Sequence, residues 1–157
     1  MKDRRPGPGA DEDELPLVDV HAIRIHAEPS VVWTALARML TGRARTMGLV
    51  APMLRAEPRR TAGDPLRTGS TVPGFAVVHS EPPTWLTLRG RHTFSRYQLT
   101  FRLSPDAGAT EVRAETRASF LGAKGRVYRA LVIGSGGHTH AVQGMLTELA
   151  RRSRPTA

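Results

Sequence analysis

Residues 75–120 carry the pattern that most restricts the fold: apolar side chains return at every second position, run after run, with turn residues between the runs. The run "FAVVHSE" stops at Pro82-Pro83. "WLTLRGRHTF" then sets Leu86, Leu88, Gly90, His92 and Phe94 on one side and Thr87, Arg89, Arg91 and Thr93 on the other. "YQLTFRL" repeats the alternation, with Tyr97, Leu99, Phe101 and Leu103 against Gln98, Thr100 and Arg102. After the turn "SPDAGA", "TEVRAETRASF" places Val112, Ala114, Thr116, Ala118 and Phe120 opposite Glu111, Arg113, Glu115 and Arg117. A period of two with one charged side describes antiparallel strands wetted on one face. The dry face needs a cover.

The flanking segments supply it. "VDVHAIRIHA" alternates and reads as a further strand, with His21, Ile23, Ile25 and Ala27 on one side. Pro29 opens a helix at a position where its missing N–H costs nothing, and Val32, Trp33, Leu36 and Leu40 share a face of it. Residues 42–51 suggest one or two further helical turns, and residues 53–68 an irregular strand and a Pro/Gly loop. Residues 123–154 return to a helical period. There Val127, Leu131, Gly134, His138, Ala141, Val142, Met145 and Leu149 fall in one stripe at 100° per residue. The stripe stays in phase through "GSGG", which predicts a single helix over 123–153, softened or kinked where each glycine costs about 1 kcal/mol. The fold class is therefore α+β: an antiparallel sheet whose apolar face is closed by the terminal helix. Residues 1–15, rich in Pro, Gly and acids, are expected to be a disordered tail, and residues 16–154 one domain.

Several chemistries lack their residues. Cysteine is absent, which removes disulfides, thiolate metal sites and cysteine nucleophiles. His138 and His140 are two apart and diverge on a helix, so no metal is expected. "GSGGH" is not a nucleophile elbow, and no glycine-rich loop with a following lysine exists for phosphates. No cofactor is implied. No segment is long and apolar enough to enter a membrane, and the expected setting is soluble and cytoplasmic. The net charge is +9; residues 1–14 hold three basic and five acidic side chains, net −2, which leaves +11 on the rest. Arginines scattered over every element, with only 5% aromatic residues, make a nucleic acid or an anionic surface the least favoured partner. The chain is read as a monomer or a homodimer.

Polar residues on the dry side are the candidates for function. His138 reads either as a core histidine satisfied by one partner or as a polar handle in an apolar cavity. His92, Tyr97 and Thr116 point inward by alternation and read as core, rim or site; Phe101 and Trp33 bring aromatic surface, Trp33 first as a large core aromatic, and Val142 and Met145 share the stripe of His138. Gly134 leaves room one turn before His138. These nine residues form the expected cavity lining.

The stretches "IRIHAEPSVVWTAL", "YQLTFRLSPDAGATEVRAET" and "GRVYRALVIGSGGHTHAVQGMLTEL" resemble the opening, the last hairpin and the closing helix of the SRPBCC (START-like, polyketide cyclase/dehydrase-type) superfamily. Glu28 stands where the superfamily usually has a small polar cap. The resemblance implies a helix-grip fold, a curved antiparallel sheet around a long C-terminal helix with an internal hydrophobic cavity. It further implies binding of a small hydrophobic or aromatic molecule, lipid-, sterol- or polyketide-like. The alternative it offers is a cyclase or aromatase working in the same cavity, for which the inward polar residues His138, His92 and Tyr97 are the candidates for acid or base. It supplies no catalytic residue common to all members.

Overall fold

The computed structural model describes residues 15–154, and for residues 45–54 the backbone alone; the expected tail lies outside the described residues except for Leu15. The elements are β1 (Leu17–Ile25), α1 (Pro29–Leu54), β2 (Thr71–Val72), β3 (Phe75–Glu81), β4 (Trp85–His92), β5 (Ser95–Asp106), β6 (Ala109–Phe120), α2 (Gly122–Val132) and α3 (Gly137–Arg152). The strands form one open antiparallel sheet in the order β1-β6-β5-β4-β3-β2. The alternation predicted over residues 85–120 is observed except at Thr87 and Thr100, which are buried although they stand on the outer side, and β3 carries an irregularity between Val77 and His79. In register, Gly90 faces Tyr97, Tyr97 faces Ala118, and Leu99 faces Thr116. The β5–β6 hairpin turns through Ala107 (φ 43°) and Gly108 (φ 77°). Two successive positive φ angles match the twist of the strands they join.

The amide hydrogens of Val31 and Val32 donate to the Glu28 carbonyl at 3.0 and 3.1 Å, so α1 starts around a proline with no N–H to waste. The short basic segment expected over residues 42–51 is instead part of this one 26-residue helix. A tie to the C-terminal helix favours the continuation. Arg43 Nη2 and Nε donate to Glu148 Oε2 at 2.7 and 3.2 Å, and Arg152 Nε donates to Oε1 at 2.8 Å. The Arg43 hydrogen bond, and then that of Arg152, hold the Glu148 carboxyl below its usual range against the opposing effect of desolvation. Val32, Leu36 and Met39 of α1 and Leu146 and Leu149 of α3 bury themselves against Leu86, Leu88, Phe101 and Val112. At about 1.5–3 kcal/mol for each such side chain, this cluster fixes α1 and the second half of α3 to the inner face of the sheet.

The single helix expected over 123–153 is corrected: the segment is two helices, α2 and α3, separated at residues 133–136. The Ile133 amide closes α2 on the Arg129 carbonyl at 2.8 Å, and Gly136, at φ 75°, adopts the left-handed conformation that ends a right-handed helix. The break re-aims α2. Val127 and Leu131, expected on the buried stripe, are 61% and 68% exposed, while Tyr128, Val132 and Ile133 turn inward. Periodicity missed the break because the apolar phase is the same on both sides of it, and phase does not report the direction of an axis.

Candidate functional site: an apolar cavity under α2 and α3

The inner faces of β4, β5 and β6, the inward side of α2 and the first half of α3 enclose a space of about 370 Å³. That equals the liquid volume of about a dozen water molecules and falls within the usual small-molecule range, about 300–1,000 Å³. Sequence explains why it stays open. Two of the wall residues are small, Ala141 of α3 and Ala118 of β6, and beyond the left-handed Gly136 α2 forms a separate wall.

Six of the nine expected lining residues come together here: His92, Tyr97, Thr116, His138, Val142 and Met145. Three do not. Phe101 is fully buried in the core under α1. Trp33 borders a different cleft, beside Leu66 and Pro82. Gly134 lies exposed in the turn between α2 and α3. Sequence reasoning missed Phe75, Ala118, Phe120 and Tyr128, all on the wall. Alternation had already placed Ala118 and Phe120 inward; Tyr128 needed the helix break.

Most polar atoms on the wall are engaged. The Phe94 amide donates to His92 Nδ1 at 3.1 Å, which leaves the ring proton on Nε2, 3.0 Å from Ser95 Oγ. Burial lowers the His92 pKa, so the ring stays neutral. Its edge meets Tyr128, with centroids 5.0 Å apart, and Tyr128 in turn stacks on Phe94 at 5.6 Å. The Tyr97 hydroxyl donates to the Gly74 carbonyl at 2.7 Å; burial, and then the nearby Tyr128, push its pKa up to about 12. Burial also raises the Tyr128 pKa. The close approach of Gly74 and Tyr97 requires a glycine at position 90, because a Cβ there would fall on the Gly74 carbonyl oxygen and the Tyr97 ring.

At the α3 end the polar atoms are not engaged in this way. Asp19, on the inner side of β1, stands directly opposite Thr116. Its Oδ2 lies 3.1 Å from His21 Nε2, and its Oδ1 lies 3.4 Å from His138 Nε2. The second contact is within ion-pair range but is not aligned as a hydrogen bond. Asp19 Oδ1, His138 Nε2 and Thr116 Oγ1 are consequently buried without hydrogen-bond partners. Protein groups alone leave these atoms unmet, at about 1–3 kcal/mol for each group so left, and this is the most polar corner of the wall. Asp19 was within reach of the sequence: continuing the β1 alternation back from His21 puts a carboxylate on the dry face, where carboxylates are rare.

A second space, about 520 Å³, lies open to solvent between Glu57 and the arginines 89, 91 and 96. Arg91 Nε donates to Glu57 Oε2 at 2.8 Å across it. It is larger, but it lacks the apolar walls and loosely held polar atoms that make the inner cavity the candidate. Among the described residues no His, Asp and Glu side chains group so as to hold a metal ion, and no helix is long and apolar enough to cross a membrane.

A six-stranded antiparallel sheet closed by a C-terminal helix, with a cavity between them, is a helix-grip fold. No protein-family model matches the chain, and no curated protein sequence matches it. Solved structures do. The chain is similar to truncated norcoclaurine synthase from Thalictrum flavum, at TM-score 0.59 and 13% identity over 93% of this chain and 100% of that one. It is similar to a protein from Nitrosospira multiformis, at 0.57 and 11% over 87% and 95%. It is also similar to CalU16 from Micromonospora echinospora, at 0.52 and 18% over 85% and 79%. At such identities the likeness is one of fold.

Proposed function

We propose that this protein binds a small apolar or aromatic molecule in the cavity between the sheet, α2 and α3. The observation that carries the reading is the cavity itself. Its 370 Å³ are walled by Phe75, Leu99, Phe120, Val142 and Met145, and the polar groups of His92 and Tyr97 are turned to protein partners. Apolar walls with a few localised polar groups favour burial of an apolar ligand. Ala118→Phe tests it by placing a ring in the space. The expected result is at least a tenfold loss of affinity for 2-naphthol, about 1.4 kcal/mol, followed by its fluorescence, in a variant that keeps its fold. Unchanged affinity in the folded variant contradicts the reading.

A second reading has one observation in its favour. His138 beside Asp19 is an imidazole next to a carboxylate, the pair that general acid–base chemistry uses. One protein of similar fold is named a synthase. An enzyme of the cyclase or synthase kind would work in this same cavity and would need binding first.

A further inference from the structure

We infer that the molecule held in the cavity carries a hydroxyl, alcoholic or phenolic, whose hydrogen is accepted by His138 Nδ1, and that Asp19 is the positioning residue that keeps this nitrogen an acceptor. The inference rests on the cavity reading above and adds the polar end of the ligand to it.

Asp19 is 19% exposed, and a carboxylate so far from water needs compensation. Two imidazoles face it, His21 Nε2 at Oδ2 and His138 Nε2 at Oδ1. A carboxylate can only accept, so each approach is favourable only with the hydrogen on the facing nitrogen. A lone pair on His138 Nε2, 3.4 Å from Oδ1, would meet the oxygen's own lone pairs. Asp19 therefore selects the Nε2–H tautomer of His138, and in that neutral ring Nδ1 is an acceptor. The other oxygen, held by His21, keeps the carboxylate from turning away.

The two nitrogens of His138 differ in access. Nε2 is sealed against Asp19, whereas Nδ1 keeps accessible surface and has no partner, in a side chain that lines the cavity. The cavity wall that α3 contributes beside His138 is Ala141, Val142 and Met145. Satisfiability then selects the ligand. An ether or ketone brings only lone pairs to an acceptor and gains nothing there. A carboxylate adds repulsion from Asp19. An ammonium brings three donors to an open acceptor at Nδ1, while Asp19 Oδ1 and Thr116 Oγ1 are buried beneath the surface, and it leaves donors unmet against an apolar wall. A hydroxyl brings one hydrogen to one lone pair, and the rest of the molecule covers the apolar surface.

The test compares 2-naphthol with its methyl ether, which has the same ring and no hydrogen to give, on the full chain. The wild type should prefer 2-naphthol by about tenfold, the worth of one hydrogen bond to a buried acceptor. His138→Leu should bind both about equally, with affinity for the ether retained. Asp19→Asn should lower the preference and, in ¹⁵N spectra at about pH 8, where histidine is ordinarily neutral, show His138 losing its single Nε2–H tautomer. The wild-type spectrum tests the tautomer even if a variant fails to fold. A His138 ring protonated at Nδ1, or equal affinities for the two probes in the wild type, overturns the inference and leaves the cavity reading standing. If neither probe binds, the cavity reading falls and takes this inference with it.

Discussion

Tyr97 is held at both ends. Its ring packs edge-on against Phe75, with centroids 5.1 Å apart, and its hydroxyl reaches over Gly90 to the Gly74 carbonyl. Tyr97→Phe removes the donor and leaves that carbonyl unmet, at an expected cost of about 1–2 kcal/mol in chemical denaturation. The same side chain sets an alkaline limit. Its folded pKa, about 12, is raised above the ordinary 10.0, so its contribution is complete below pH 10.0 and is lost as pH climbs toward 12. The wild type should lose stability through that window, and Tyr97→Phe should lose less. An identical alkaline slope in the two proteins contradicts the assignment. Alternation alone placed Tyr97, His92 and Thr116 on the inner side. It could not reveal that Gly74 and Ser95 already engage the first two, since those bonds depend on the pairing of strands and on one particular loop. What remained hidden at this scale was the hydrogen-bond capacity left over, which only partners in space decide.

The elements tell the same story with the helix break at its centre. Gly136 adopts φ 75° with open space around the position of a Cβ, so Gly136→Ala pays only for backbone strain, about 1 kcal/mol. Gly90 is the contrasting case: its φ is ordinary, but a methyl group there collides with the Gly74 carbonyl and the Tyr97 ring. Gly90→Ala should therefore be several times more destabilising than Gly136→Ala, as read by urea unfolding of the two variants side by side. The reverse order would mean that the α2–α3 break, and not the close approach of β4 to the Gly74 turn, is the tighter constraint. The strands were legible because a period of two, bounded by prolines and a turn, has one geometric meaning. The C-terminal helices were legible in content only. Three glycines in four residues announced weakness at 134–137, but the left-handed angle at Gly136, and hence the outward turn of Val127 and Leu131, is a tertiary outcome. Wall residues from α2 were lost to the reading for that reason.

For the described part of the molecule, the two faces of the sheet have different chemistry. The outer face carries much of the excess charge, and its arginines are largely engaged locally. Arg24 Nε donates to Asp106 Oδ2 at 2.7 Å, Arg91 pairs with Glu57, Arg117 Nε donates to Glu115 Oε1 at 2.5 Å, and the Arg102 guanidinium lies 3.8 Å above the Trp85 ring. Exposed pairs of this kind add little stability, about 0–1 kcal/mol each; they account for an arginine-rich surface without assigning it a partner. The inner face holds the core under α1 and, next to it, the cavity under α2 and α3. This division was readable from the charged and apolar sides of residues 75–120; the empty volume was not, because it depends on how far two helices stand off the sheet.

A groove on the outer side of α2, bordered by Val127 and Leu131, offers an apolar probe a competing place to bind. The most direct test of the central claim therefore follows methyl groups on both sides during one titration. In ¹³C methyl spectra recorded while 2-naphthol is added to saturation, the cavity account predicts the largest shifts at Met145 and Val142, with Val127 and Leu131 little changed. Shifts confined to Val127 and Leu131, with Met145 and Val142 unmoved at saturation, would contradict it.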